Sequence, residues 1–122
     1  MTLKNKPFFE GGSNIAMKVP PYLFAETVDF YKEVLRLPLL EETHHSAVFE
    51  FGANQLWIDK VNHISQAEIW LELKTDDVNS AAAYMDSYGV TRRDEIELLP
   101  DNFSGFWICN PANIIHLVGR DD

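Results

Sequence analysis

The most informative stretch of this sequence is Asn14–Leu40, NIAMKVPPYLFAETVDFYKEVLRLPLL. Its first residues alternate, so that Ile15 and Met17 lie on one side of a strand and Ala16 and Lys18 on the other. A double proline stops the strand, an amphipathic helix follows, and a second apolar strand ends the stretch. The stretch therefore predicts a strand, a helix and a strand in succession.

The rest of the chain continues this unit and then repeats its pattern. We predict two modules, each of one strand, one helix and three strands, over residues 13–61 and 67–119 of a single domain. The predicted strands are 13–19, 37–42, 46–51, 55–61, 67–74, 91–98, 104–109 and 113–118. Residues 1–12 are predicted to be a mobile lead-in that ends at two glycines.

The two predicted helices each carry an apolar stripe at helical spacing. The first covers residues 23–35, and its stripe is Phe24, Val28, Tyr31 and Leu35. In the second, Asp76 or Asp77 is the N-cap, Gly89 follows the last turn, and the stripe is Val78, Ala81, Ala82 and Met85.

Composition limits the classes of function. The chain has 122 residues, 46% apolar and 24% charged, which is typical of one soluble globular domain. No apolar run is long enough for a membrane span or a signal peptide, and one cysteine, Cys109, permits no internal disulfide, so we expect a cytoplasmic protein without a membrane partner. The net charge of −9 argues against nucleic acid as a partner. It permits a cationic ligand, although solubility alone also explains it.

Alternation along the strands assigns side chains to the two faces of the sheet. We expect the fully apolar rows to meet the helices: Ile15/Met17, Leu56/Ile58, Ile69/Leu71/Leu73 and Ile115/Leu117. The opposite face is then lined by Asn14, Ala16, Lys18, Trp57, Asp59, Glu68, Trp70, Glu72, Ile114, His116 and Val118. Two tryptophans beside charged groups suit a ligand pocket and a dimer interface equally well. The ligand-binding candidates are Trp57, Trp70, Glu72 and Lys18, while Trp107 is expected on the helix side or at a rim.

The segments FYKEVLRLPL, Phe30–Leu39, and NPANIIHLVG, Asn110–Gly119, resemble the vicinal oxygen chelate superfamily of glyoxalase, bleomycin-resistance and dioxygenase-like proteins. The resemblance covers about residues 13–120. It implies an α+β fold in which two βαβββ modules form a curled mixed sheet with the helices outside and a ligand site within, often in a homodimer. The chain departs from the family's pattern at two positions. Arg36 stands where the family usually has a glycine after the first helix. The last hairpin lacks the family's usual glycine, so we align its turn as one residue shorter than the family's turn.

The resemblance also implies positions for a metal ion. Members that bind metal take ligands at positions that align here with Asn14, Asp59, Glu68 and His116. Two carboxylates and an imidazole suit a divalent transition metal, but Asn14 is a weak ligand, so a metal cofactor is possible but not favoured. Alternatively, Glu68 and His116 form a hydrogen-bonded pair, or act as acid and base without metal.

Three functions remain open from the sequence. The first is a homodimeric protein that binds and sequesters a cationic or aromatic small molecule, as in the bleomycin-resistance branch. The second is a metal-dependent lyase, isomerase or dioxygenase that uses Asp59, Glu68 and His116. The third is a module that pairs with another protein through the tryptophan-bearing face. The remaining histidines, His44, His45 and His63, are expected to be exposed polar residues, and Cys109 a packed thiol.

Overall fold

A computed structural model describes residues 6–120 of the chain. It divides into two compact units. The first unit is Ser13–Trp70; the second comprises Met1–Gly12 and Leu71–Asp122, of which residues 6–12 and 71–120 are described. The boundary falls inside a strand, so one strand contributes its start to the first unit and its end to the second.

The first unit contains one helix and most of five strands. The elements are β2 (Asn14–Val19), α1 (Pro21–Asp29), β3 (Leu39–Glu42), β4 (Ser46–Phe51), β5 (Asn54–Lys60) and the start of β6 (Glu68–Thr75). Their order in the sheet is β3-β4-β5-β2-β6. Strand β2 is parallel to β5 and antiparallel to β6, and the other pairs are antiparallel. The strands predicted within residues 13–61 are thus confirmed, with ends that differ by one or two residues.

The core of the first unit lies between α1 and one face of its sheet. Val28 of α1 is buried with Phe49, Leu56 and Ile58 of the strands. Ile15, Met17, Phe24 and Tyr31 pack against this cluster, and so does Leu37. The apolar rows that the sequence assigned to the helix side of β2 and β5 are therefore confirmed.

The end of the first helix differs from the prediction. After Asp29 the chain forms a π-helical turn, Phe30–Val34, in which the amide of Leu35 donates to the carbonyl of Phe30. The wider turn rotates the following residues relative to the α-helical stripe. Leu35 is consequently 47% exposed, so its assignment to the buried stripe is wrong, and Leu37 packs into the core in its place.

The second unit contains the N-terminal strand, the end of β6 and three further strands with one helix. The elements are β1 (Phe9–Gly11), α2 (Val78–Ser87), β7 (Thr91–Arg92), β8 (Gly105–Cys109) and β9 (Ile115–Arg120). Strands β1 and β9 pair with β6, β1 antiparallel and β9 parallel. Strand β8 pairs with β9, and β7 with β8.

Helix α2 forms as its sequence predicts. The Asp77 side chain accepts a hydrogen bond from the amide of Ser80, 3.1 Å long, and the bonds from Ser80 hold the pKa of the Asp77 carboxyl below its usual value. Gly89, with φ +73°, follows the last turn in the left-handed conformation. Ala81 and Met85 are buried with Phe106, Ile108 and Val118, and Val78 and Ala82 pack beside them, so the predicted stripe is confirmed.

Two predictions about irregular segments are wrong. Part of the expected lead-in, residues 9–11, is strand β1, because its backbone pairs with Leu73–Thr75 in β6; residues 1–5 of that lead-in lie outside the described residues. In the predicted strand 91–98, only Thr91 and Arg92 are paired as a strand. The residues that follow instead bind Trp107, whose amide donates to the Asp94 carboxylate at 3.0 Å and whose indole donates to the Glu97 carbonyl at 2.9 Å.

The α+β class and the mixed sheet predicted from the sequence are confirmed, because each unit joins parallel and antiparallel strand pairs to one helix. Neither helix within residues 6–120 combines the length and the apolar content that a membrane crossing requires.

Candidate functional site

The face of the first unit that lies opposite its helix carries two cross-strand rows of side chains. In the aromatic row, Val48, Trp57, Ala16 and Trp70 stand side by side on strands β4, β5, β2 and β6. In the charged row, Ser46, Asp59, Lys18 and Glu68 stand in the same strand order. Neighbouring strands are about 4.8 Å apart, so members of a row contact one another directly.

The charged row is built around an almost buried ion pair. The ammonium of Lys18 lies 2.9 Å from Oδ2 of Asp59, and the two side chains are 5% and 17% exposed. The hydroxyl of Ser46 donates to Oδ1 of the same carboxylate at 2.7 Å. Both oxygens of Asp59 are therefore occupied, and its charge is compensated within the row.

Each indole of the aromatic row is fixed by its N–H group. Nε1 of Trp57 donates to Oδ1 of Asn14 at 2.8 Å, and Nε1 of Trp70 donates to Oε1 of Glu68 at 2.9 Å. Asn14 and Glu68 lie towards opposite ends of the β2–β6 pairing, so the two rings lean away from each other along the strands. Ala16 is the residue between the two tryptophans in this row, and we call the three residues Ala16, Trp57 and Trp70 the indole slot.

A cation already lies against one of these rings. Nζ of Lys18 is 4.4 Å from the centroid of the Trp70 ring, within the range of a cation–π contact. Trp70 is 6% exposed, whereas Trp57 and Ala16 are only partly buried. The accessible part of the indole slot is therefore provided by Trp57 and Ala16, with Trp70 as its more buried wall.

Glu72, the fourth ligand-binding candidate from the sequence, belongs to the second unit. Its side chain is 9% exposed, and Oε2 lies 3.8 Å from Nζ of Lys74. The same side chain packs on Gly12, where a Cβ atom would stand 2.2 Å from Oε1, and the Gly12 amide donates to the Glu72 carbonyl at 2.8 Å. A larger residue at position 12 would therefore push the Glu72 side chain out of its present position.

The face assignment of the last strand is wrong. Val118 pairs with Leu73 and His116 with Leu71, and residues paired in this way share a face. Val118 is buried against α2, so His116 also lies on the helix side, where its Nδ1 is 3.0 Å from the carbonyl of Ile114. Leu117 takes the opposite face, paired with Glu72.

The candidate metal ligands do not fit a metal ion. Asp59 is held by Lys18 and Ser46, and Oε1 of Glu68 accepts from the Trp70 indole. His116 lies on the helix side of its sheet, and Asn14 accepts from Trp57. Within residues 6–120, no group of three His, Cys, Asp or Glu side chains is arranged to hold a metal ion.

Sequence reasoning missed Ser46, and it placed Ala16 on this face without foreseeing that Ala16 lies between the two tryptophans, because both roles depend on which strands are neighbours. Trp107 was also misplaced, because its partner Leu117 puts it on the face opposite α2, where it is 5% exposed. The expectations for the minor candidates are confirmed. His44, His45 and His63 are exposed, and the Cys109 thiol is buried.

The fold is similar to the folds of a glyoxalase and of a dioxygenase among the solved structures. The Mn(II)-bound glyoxalase of Novosphingobium aromaticivorans is 18% identical, with a TM-score of 0.64, and the match covers 89% of this chain and 38% of that one. Homoprotocatechuate 2,3-dioxygenase of Brevibacterium fuscum, in complex with 3,4-dihydroxyphenylacetate, is 17% identical, with a TM-score of 0.67. This match covers 98% of the present chain and 39% of the dioxygenase chain.

A third similar structure is the NAD-dependent benzaldehyde dehydrogenase of Legionella pneumophila, with 13% identity and a TM-score of 0.63 over 88% of this chain and 99% of that one. The present chain thus spans a little over a third of the glyoxalase and dioxygenase chains and almost the whole of the third. No protein-family model matches the sequence, and no curated protein matches it.

Proposed function

We propose that this chain is a small-molecule-binding protein of the glyoxalase and bleomycin-resistance type, and that it sequesters an aromatic ligand in the indole slot. The observation that carries the proposal is the arrangement of two indoles on either side of Ala16, each held by a hydrogen bond from its N–H group. Rings fixed in this way lose little conformational entropy when a flat ligand packs against them. Aromatic rings beside a few oriented polar groups are typical of ligand sites.

Charge favours a ligand that carries a positive group. The charged row holds two carboxylates, Asp59 and Glu68, against the single ammonium of Lys18, which leaves one net negative charge. Glu68 is exposed, so its carboxylate is accessible to a ligand from solvent. Lys18 already occupies one position against Trp70, so we propose that the ligand ring packs on Trp57 and its cationic group approaches Glu68.

The similar structures support the proposal that the ligand is aromatic. The dioxygenase of Brevibacterium fuscum holds 3,4-dihydroxyphenylacetate, a small aromatic compound. The rival function, a metal-dependent lyase, isomerase or dioxygenase, is favoured by the likeness to a Mn(II)-bound glyoxalase. The contacts of Asp59, Glu68 and His116 do not support it, because each of these side chains already has another partner.

The test fills the indole slot without removing either indole. Ala16→Leu places three additional carbon atoms between Trp57 and Trp70, so we expect the variant to lose binding of flat cationic aromatics, measured by the change in tryptophan fluorescence with an acridine dye series. Ala25→Leu is the matched control, because Ala25 is an exposed residue of α1 in the same unit. The control should bind as the parent does.

Two results would count against the proposal. One is a parent protein whose fluorescence is unchanged by the dyes at millimolar concentration, and the other is an Ala16→Leu variant that binds them as well as the parent does. Equilibrium dialysis against Mn²⁺ separates the rival function. Stoichiometric binding that is lost in Glu68→Gln would favour the metal enzyme.

A further inference from the structure

Residues 93–104 of the second unit, all of them described, connect β7 to β8 without forming a helix or a strand. The first two are fixed at the edge of β8. The Arg93 amide donates to the Trp107 carbonyl at 2.8 Å, and the Asp94 carboxylate accepts from the Trp107 amide. We call the remaining residues, 95–104, the strap. Connections of this length without secondary structure are near the upper limit in compact domains, and longer ones are commonly lids or binding loops.

The strap lies on the face of the second unit opposite α2. Trp107 is on that face, and its indole N–H group donates to the Glu97 carbonyl of the strap at 2.9 Å. Further along the strap, the Phe103 ring rests on Gly105 and Gly119. These glycines are paired across β8 and β9, and Gly105 is two residues from Trp107 and so shares its face. Glu97 and Phe103 therefore both hold the strap on this face.

The two glycines form a seat for the Phe103 ring. A Cβ atom at Gly105 would stand 2.5 Å from Cε2 of Phe103, and one at Gly119 would stand 2.7 Å from Cζ. Both distances are too short for real contacts, so the ring packs directly on the backbone of the two strands. Glycine within a strand weakens it and often marks a place where another group approaches closely. The contact of Phe103 therefore depends on the absence of a side chain on both strands.

The strap itself buries little surface. None of residues 95–104 is buried, since Ile96, Leu99 and Phe103 are partly buried and the others are exposed, Leu98 to 95%. By contrast, four of the five residues of β8 are buried. Segments with few buried apolar contacts open at free energies well below that of global unfolding. The strap should therefore open while the strands beneath it stay paired.

We propose that the strap is a lid over this face of the second unit and that Phe103 is its latch. In the closed state the ring lies on the two glycines and the Glu97 carbonyl accepts from the Trp107 indole. Opening lifts the ring, releases the indole N–H group to water and gives small molecules access to Gly105 and Gly119. The lid involves residues of the second unit alone, so it does not depend on ligand binding in the indole slot.

The test measures hydrogen exchange of the tryptophan indole N–H groups by NMR in D2O. The Trp107 indole is held by the strap, whereas the Trp57 indole is held by Asn14 in the first unit and serves as an internal reference. In the parent, exchange at Trp107 should depend little on urea below the unfolding transition, because opening of the strap exposes little surface. Phe103→Ala should speed this exchange about 10-fold, because the closed state loses the packing of the ring. Exchange at Trp57 should not change.

Two further variants separate the latch from general loosening. Leu98→Ala is the matched control, because it removes a large apolar side chain from the same strap at a position that is 95% exposed. It should leave exchange at Trp107 unchanged. Gly119→Ala acts on the latch from the other side, since the three atoms nearest to the new Cβ all belong to the Phe103 ring. It should speed exchange at Trp107 in the parent and add little in the Phe103→Ala background, because the conflict requires the ring.

Several results would overturn the lid. One is exchange at Trp107 in the parent that rises with urea as steeply as global unfolding does, and this measurement decides the question even if a variant does not fold. Others are unchanged exchange in Phe103→Ala and an equal acceleration in Leu98→Ala. Equal effects of Gly119→Ala with and without the Phe103 ring would also refute the latch. An unchanged Trp57 signal in each variant excludes global unfolding as the cause of faster exchange.

Discussion

At the scale of single residues, Lys18 connects the two rows of the first unit. Its ammonium group is paired with Asp59 in the charged row and lies over the Trp70 ring in the aromatic row. A lysine that is 5% exposed is unfavourable unless its charge is compensated. The positions of Trp70 and Asp59 are therefore coupled through one side chain.

Removing the carboxylate from this pair should destabilise the protein strongly. We expect Asp59→Asn to lower the free energy of unfolding by about 3 kcal/mol, because Lys18 would keep a buried charge without its counter-charge. The measurement is urea unfolding followed by circular dichroism. Glu42→Gln is the control, because it breaks the ion pair between Glu42 and Lys32 on the surface. These side chains are 40% and 37% exposed, so water screens the attraction between their charges. Equal losses in the two variants would contradict the role given to Lys18.

At the scale of elements, the end of the first helix shows how a non-glycine residue can take the place of glycine. Arg36 has φ +56°, so it adopts the left-handed conformation at the position where the resemblance implies a glycine. The last hairpin has a parallel case, because Asn113 has φ +64° in a turn that lacks glycine. Asparagine tolerates this region better than other residues, whereas arginine has no such advantage.

This strain should be removable. We expect Arg36→Gly to raise the free energy of unfolding by about 0.5–1 kcal/mol, because relief of the left-handed strain exceeds the added entropy of the unfolded chain. Chemical denaturation of parent and variant provides the measurement. The reverse change is Gly89→Ala. Because Gly89 has φ +73°, an alanine there would be held in the left-handed conformation, and the variant should be less stable than the parent. A destabilised Arg36→Gly would show that the arginine side chain makes contacts that outweigh the strain.

At the scale of the whole molecule, apolar residues remain on the surface of the first unit. Phe30, Val34 and Leu35 at the end of the first helix are 47–68% exposed, and Leu39 and Leu40 of the edge strand β3 are 37% and 50% exposed. Exposed apolar groups on an edge strand favour association with another chain. The proposed partner is a second copy, while the charge of −9 argues against nucleic acid.

We therefore expect a homodimer in solution. Sedimentation equilibrium at micromolar concentration should give twice the chain mass of 14.0 kDa. Leu40→Lys introduces a charge at the exposed edge and should shift the equilibrium towards monomer. Glu50→Lys, at an exposed position of β4, serves as the control. A change at Lys60 is not a suitable control, because the Lys60 ammonium group lies near the Phe24 ring. A parent protein that sediments as a monomer would refute the homodimer.

The sequence alone was enough for the α+β class, the two helices and the faces of β2, β5 and β6, because alternating and helical periodicity are local properties. It missed β1, whose pairing with β6 is a tertiary contact. It gave the wrong face for β9, because the row that contains His116 also contains the apolar residues Ile114 and Val118, and a shift of one residue exchanges the faces. Pairing with β6 decided that question and moved His116 to the helix side. The tertiary structure also decided the site, because Ala16 lies between Trp57 and Trp70 only when these tryptophans are on the two strands next to β2.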